Sequence, residues 1–230
     1  MNCQIIHDSI HERPGWTQEY VLELAGSPAG YGSVAVGGPW RNSPAIYELY
    51  LQPQYRTRVF EAFETLLAAC NANKIEVQTN DKLLTVMLHT YASNTEAEAI
   101  LFEDAFQTTP SLAGVSIRTA TAHDAPAISL LHLDDGAKWV LTVDDEVAGS
   151  GGVLYHYNRP YGDIYMKIAE PFRRRGLGAY LVQELKTVCR RGGGVPAARC
   201  NVGNEASRRT LQRAGFIPCG NLLIGKLCST

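Results

Sequence analysis

The chain has 230 residues, 45% hydrophobic and 19% charged, which is ordinary globular composition with ample apolar material for a core. No run of about 18 apolar residues occurs, so a membrane-spanning helix is not expected. The formal net charge is −2 but uneven: Val115 onward carries 15 Lys/Arg against 10 Asp/Glu, whereas the first 114 residues carry 6 against 13. The basic C-terminal half is therefore expected to handle an anion. A nucleic-acid-binding module is not recognisable.

In chain order, Tyr31–Val36 and Ile46–Leu51 read as strands, and Thr57–Ala69 as a helix with a stripe of Val59, Phe60, Phe63, Leu66, Leu67 and Cys70. Lys74–Gln78 alternates as a strand, Asp81 caps a helix over 82–92, and Ile100–Phe102 is strand-like. The second half gives a strand at Trp139–Val143, a turn at Asp144-Asp145 and a strand over Val147–Tyr157. A strand over Asp163–Ala169 follows, then a helix over Gly176–Arg190 ended by Gly192-Gly193-Gly194. Ala197–Val202 is a strand, Glu205–Ala214 a helix stopped by Gly215, and Phe216–Leu227 two short strands.

This order repeats. Tyr20–Leu24 aligns with Trp139–Val143 at an offset of 119 residues, and Tyr55-Arg56 with Phe172-Arg173 at an offset of 117. Only two copies fit, so the expected architecture is an α/β fold, a mixed sheet flanked by helices, arising by tandem duplication. The small-residue stretch Pro110–Gly114 marks the boundary, giving domains over 1–112 and 115–230.

The six cysteines (3, 70, 189, 200, 219, 228) contain no C-x-x-C pair and read as free buried thiols. The histidines are scattered, and no metal site is expected. The N-terminus lacks a basic region followed by an apolar stretch, so a cytoplasmic location is expected.

Arg173-Arg174-Arg175-Gly176-Leu177-Gly178-Ala179 lies between a predicted strand and a predicted helix. A helix N-terminus offers convergent amides and a favourable dipole to a pyrophosphate. Glycine permits close approach of phosphate to the main chain, and arginine adds charge-assisted contacts. A dinucleotide fingerprint fails because its third glycine position is Leu181.

The segment resembles motif A of the GNAT N-acetyltransferase superfamily, (Q/R)-x-x-G-x-(G/A), through Arg173, Gly176 and Gly178. Ile168-Ala169-Glu170-Pro171-Phe172 resembles the strand end that precedes it, and Asn204 through Gly215-Phe216 resembles the motif-B helix. The resemblance implies acetyl-CoA as donor cosubstrate and a small-molecule or peptide amine as acceptor. It gives no role to a metal, nucleic acid or membrane, and a monomer with tandem halves or a homodimer both fit. It further implies that Ile168, Ala169 and the adjoining main chain pair with pantetheine. The amides of Arg174, Arg175, Gly176, Leu177, Gly178 and Ala179 would hold the pyrophosphate. Asn204 would bond the pantetheine arm, with Ser207 and Arg208 toward the adenosine.

Two departures concern catalysis. The glutamate that many family members carry six residues before Ile168 is Gly162 here, and the usual tyrosine seven residues after Asn204 is Leu211. Asp163 should face the opposite side of its strand. Tyr155, His156 and Tyr157, expected on the preceding strand, are the other candidates, so the catalytic residues are left unassigned. In the N-terminal copy Gly176 and Gly178 become Val59 and Glu61, unsuited to phosphate. A non-catalytic acyl-CoA-binding module is the rival reading.

Overall fold

The computed structural model describes residues 5–228, which form two compact units: Met1–Ile100 with Gly220–Thr230, and Leu101–Cys219. They are not consecutive halves of the chain, because its last residues belong with the first hundred. The Pro110–Gly114 stretch lies inside the second unit.

In the first unit a short helix α1 (His7–His11) leads into antiparallel neighbours β1 (Thr17–Leu24), β2 (Ser27–Ala35) and β3 (Ala45–Leu51). Ala25 and Gly26, with φ of 53° and 74°, make the two-residue β1–β2 turn whose twist matches the strands. A 3-10 stretch, Pro53–Arg58, precedes α2 (Val59–Ala69), and β4 (Lys74–Gln78) returns parallel to β3. Helix α3 (Lys82–Tyr91) is capped by Asp81, whose carboxylate accepts from the Leu84 amide at 3.1 Å. Such a cap contributes about 1 kcal/mol. Phe63 and Leu66 of α2 and Leu84, Met87 and Leu88 of α3 are fully buried together with Ile46, Leu51 and Ile75 of the strands. Each contributes roughly 1.5–3 kcal/mol of burial.

The second unit holds β6 (Val115–Thr119), α4 (Ala125–Leu130), β7 (Trp139–Val143), β8 (Glu146–Leu154), β9 (Tyr161–Ile168), α5 (Leu177–Arg191), β10 (Val195–Asn201) and α6 (Glu205–Arg213). Strands β6 to β9 are antiparallel neighbours, and β10 runs parallel to β9. Lys186 of α5 is fully buried, with its ammonium 2.8 Å from Asp104, 2.7 Å from the Phe106 carbonyl and 2.6 Å from the Ala214 carbonyl. Two carbonyls accept from the ammonium and the carboxylate supplies its counter-charge, which is what a buried ammonium requires. Burial pushes the Lys186 pKa down, and Asp104 opposes the shift.

Two strands are divided between the units. The strand β5 (Ala92–Asp104) follows α3 without a loop, and β11 (Phe216–Leu227) follows α6. Residues 92–100 and 220–227 count with the first unit, and 101–104 and 216–219 with the second. Within the first unit β11 pairs antiparallel with β4, from Leu222↔Gln78 to Lys226↔Lys74. The Phe216–Leu227 stretch is thus one strand rather than two. Pro218 and Gly220 signal a break locally, but the backbone stays extended through them.

The element order β1-β2-β3-α2-β4-α3-β5 recurs as β7-β8-β9-α5-β10-α6-β11. One irregularity coincides as well: the ladder shifts register at Leu22/Glu23 in one run and at Leu141/Thr142 in the other, whereas the β2–β3 shift at Ser33/Val34 has no counterpart between β8 and β9. The expected mixed α/β fold is the observed one. Among the described cysteines, Cys189 and Cys200 are free and buried as expected, Cys70 is half-buried, and Cys219 and Cys228 are exposed. Cys3 lies outside the described residues. No described helix is long and apolar enough to cross a membrane.

Candidate acyl-CoA site

The turn from β9 to α5 is built from unusual backbone. After a 3-10 turn at Glu170–Phe172, Arg173 is extended, Arg174 has φ of 61°, and Gly176 has φ of 80° and ψ of −6°. Left-handed Gly176 followed by helical Leu177 turns successive amides toward one concavity, a nest suited to an anion. Nothing lies within 4 Å of where a Cβ on Gly176 would sit, and Arg173, Arg174, Arg175 and Gly176 are all exposed. None of the three guanidiniums forms an ion pair among the described residues, so their charge beside the turn is uncompensated.

Other motif residues also carry structural work. Gly178 is not an open approach to the main chain: a Cβ there would lie 3.0 Å from Thr210 Cγ2 and 3.4 Å from Met166 Cε. Its small size lets α6 pack against α5. Arg173 Nε donates to the Ile168 carbonyl at 3.2 Å, bracing the turn. Ala169 is buried and its amide donates to the Ala148 carbonyl at 2.9 Å. Leu177 is buried, while Ala179 is half-buried. Asn204 caps α6 through its Oδ1, which accepts from the Ser207 amide at 3.0 Å.

Strand β9 also offers an open edge. Its ladder with β8 runs from Leu154↔Asp163 to Gly149↔Ile168, but its ladder with β10 covers only Tyr161–Asp163. Beyond Asp163 the parallel strands part, leaving main-chain donors and acceptors available to an amide-bearing ligand.

Acid–base groups collect where the strands part. Gly162 faces α5, and a Cβ there would meet Val153 at 2.6 Å and Cys189 Sγ at 2.8 Å, so no glutamate fits at this position. Asp163 therefore points to the other face, as alternation requires. It is buried, with His156 Nε2 3.0 Å and Arg199 Nε 3.4 Å from its Oδ2. Tyr157 is buried against His156, ring centroids 4.7 Å apart, and its hydroxyl faces Asp163 without reaching hydrogen-bonding geometry. Burial, then the Asp163 charge, pushes the Tyr157 pKa up, so it stays protonated. Strand β8 ends at Leu154, so Tyr155, His156 and Tyr157 lie on a loop and not on the expected strand. That loop sends Tyr155 to the α5 side, where it bonds Cys189, and sends His156 and Tyr157 to Asp163. Arg199 was missed from the sequence. The parallel register Ala197↔Asp163 puts it on the Asp163 face, a signal legible from alternation once the strands are paired.

The corresponding turn of the first unit carries the same brace, Arg56 Nε to the Leu51 carbonyl at 3.3 Å. At the position of left-handed Gly176 it has Val59 in right-handed helical conformation. Val59 is buried, and Glu61 binds Arg58 through two contacts of 2.8 and 2.5 Å at the start of α2. A separate cluster lies on β3. Glu48 accepts from the Tyr31 hydroxyl at 2.7 Å and contacts His7 and His11 at 3.2 and 2.9 Å. A register shift opposite Ser33/Val34 makes Tyr47 an extra residue, so it also reaches His11, at 3.0 Å. Among the described residues no group of three or more His, Cys, Asp or Glu is arranged to hold a metal ion.

Residues 99–216 match the family model described as Acetyltransferase (GNAT) family. No curated protein matches the chain. Among solved structures, it is similar to a GNAT-family acetyltransferase from Colwellia psychrerythraea, at 13% identity and a TM-score of 0.69, covering 91% of this chain and 85% of that one. A tandem GNAT protein from the clavulanic acid biosynthesis pathway, solved without AcCoA, aligns at 14% identity and a TM-score of 0.61 over 99% and 89%. A GCN5-related N-acetyltransferase from Kribbella flavida aligns at 14% and 0.56 over 100% and 98%. At such identities the structural likeness is one of fold, while the family match rests on the segment that holds the β9–α5 turn and α6. The chain belongs to the GNAT family of acetyltransferases.

Proposed function

We propose that the second unit is an acyl-CoA-dependent N-acyltransferase that transfers acetyl from acetyl-CoA to an amine by direct attack in a ternary complex. The observation that carries this reading is the β9–α5 turn, with its left-handed Gly176, open space above the main chain and uncompensated arginines. The cosubstrate's pyrophosphate would sit on the amides of Arg174–Ala179. Its pantetheine would run along the open edge of β9 from Ile168 toward Asp163, with Asn204 and Ser207 flanking it. By the sequence repeat, the functional division is 115–230 as the transferase copy and 1–112 as a duplicated copy that has lost CoA binding, although the residues from Gly220 on pack with the first unit. Val59 and the Arg58–Glu61 pair support that loss.

The packing of Gly162 beneath α5 and the burial of Leu211 favour a second reading, a non-catalytic acyl-CoA-binding protein. Calorimetry with acetyl-CoA, followed by thiol release with a panel of primary amines, separates the two. One site per chain with release supports the transferase, and tight binding without release for any amine supports the sensor. Absence of acetyl-CoA binding overturns both.

A further inference from the structure

We propose that His156 is the group that takes the proton from the acceptor ammonium, held in register by Asp163 at the point where β9 and β10 part. This rests on the acyltransfer reading above and adds the residues that it leaves unassigned. The last paired residues of the two strands are Asp163 and Ala197. The cleft therefore closes at Asp163 and opens toward Ile168 and the arginine turn. Five residues of extended strand separate the two ends, about 17 Å. A cosubstrate with its pyrophosphate at the turn and its arm along β9 brings its thioester to the closed end.

The groups gathered there suit proton transfer. The Asp163 carboxylate is buried and stands 3.0 Å from His156 Nε2, whereas the imidazole retains 22% exposure. The carboxylate lies at ion-pair distance from Nε2 but outside hydrogen-bonding geometry, so it offers the imidazolium a counter-charge and leaves Nδ1 as the base. Arg199, 3.4 Å from the same carboxylate oxygen, holds Asp163 in place. Among the described residues, the charged and titratable groups facing the His156–Asp163 pair are Arg199 from β10 and the loop neighbour Tyr157, with Cys219 of β11 beside Tyr157.

The step balances without a further reactant. His156 Nδ1 accepts one proton from the ammonium, and the freed lone pair forms the C–N bond as the C–S bond breaks. The second proton lost from nitrogen ends on the CoA thiolate, and the imidazolium returns its proton to solvent. The products are the amide, CoA thiol and one released proton. His156 is the catalytic residue, and Asp163 is a positioning residue.

Thiol release from acetyl-CoA with primary amines such as tyramine and spermidine, measured against pH, tests the assignment. His156→Gln should lower kcat about 100-fold or more, leave the dissociation constant for acetyl-CoA within about twofold, and abolish the acid limb of the pH profile. Added imidazole should restore part of the rate in His156→Ala. Asp163→Asn should lower kcat less and move the acid limb without removing it. Circular dichroism controls for folding. His156→Gln with kcat within about threefold of the parent, or with its acid limb unchanged, overturns the assignment while leaving the transferase reading intact. A parent protein that binds acetyl-CoA and acylates no amine overturns both.

Discussion

Gly178→Ala gives a sharp test of how the β9–α5 turn is built. The new methyl would stand 3.0 Å from Thr210 Cγ2, some tenths of an ångström inside ordinary contact. Thr210 cannot turn away freely, because its hydroxyl donates to the Ala206 carbonyl at 2.8 Å. Overpacking of this kind costs about 1–3 kcal/mol. Alanine opposes that cost with up to about 1 kcal/mol of helix propensity, less in a first turn. The net expectation is a loss of about 1 kcal/mol. Thr210→Ser removes the offending methyl and keeps the hydroxyl bond, so the double variant should match or slightly exceed the parent, with a coupling of about 1–2 kcal/mol. Urea unfolding followed by circular dichroism measures all four proteins. A Gly178→Ala variant as stable as the parent, with no coupling to Thr210, would refute the packing role and return Gly178 to the cosubstrate.

Gly176→Val should abolish acetyl-CoA binding in calorimetry while leaving the chain folded. Its left-handed φ costs a side chain roughly 1–2 kcal/mol, but no atom stands in the way, so unaltered affinity would remove the turn from the site. Lys186→Met leaves the Asp104 carboxylate to Arg190 alone and strands two carbonyls, and should cost about 3 kcal/mol in urea unfolding. A loss under about 1 kcal/mol would show that the buried ammonium is no more than tolerated. In the first unit, burial raises the Glu48 pKa, but bonds from His7, His11 and Tyr31 outweigh it and hold it at about 2 against an ordinary 4.5. A depressed carboxylate stabilises above its unfolded value, so this contribution should be complete above about pH 4.5 and lost as pH falls through about 2. Burial lowers the His11 pKa, but Glu48 and Glu19 raise it more. Its contribution is therefore complete below an ordinary 6.5 and lost as pH rises through the higher folded value. Glu48→Gln should flatten both limbs of thermal stability against pH, and an unchanged profile would detach the cluster from stability.

Local signals carried much of the fold. Lys74–Gln78 and Trp139–Val143 form strands with the expected ends, because alternation or β-branched runs meet clear turn residues. Ala92–Glu98 was not legible: its polar, mostly exposed sequence resembles a loop, and it is extended as part of β5. The helix α1 is five residues long, too short to hold itself, and depends on its two histidines reaching Glu48. At the candidate site, the glycine-arginine turn was visible as a pattern. The separate tasks of Gly176 and Gly178 were not, because the sequence does not show that Thr210 lies above the second. Asp163 was placed on the correct face by alternation alone, but its partner Arg199 required the register of a strand 36 residues away.

The division of β5 and β11 has a consequence for synthesis. A ribosome that has made residues 1–100 has supplied every helix of the first unit but not the segment that pairs with β4, Leu222–Lys226. At about 5–20 residues per second, that segment follows roughly ten seconds later. Until then Lys74–Gln78 presents an unpaired edge, the kind of surface on which chains aggregate. The first unit to be translated is thus the last that can finish folding. Cutting the gene between its repeats would separate β4 from its partner rather than release two self-sufficient halves.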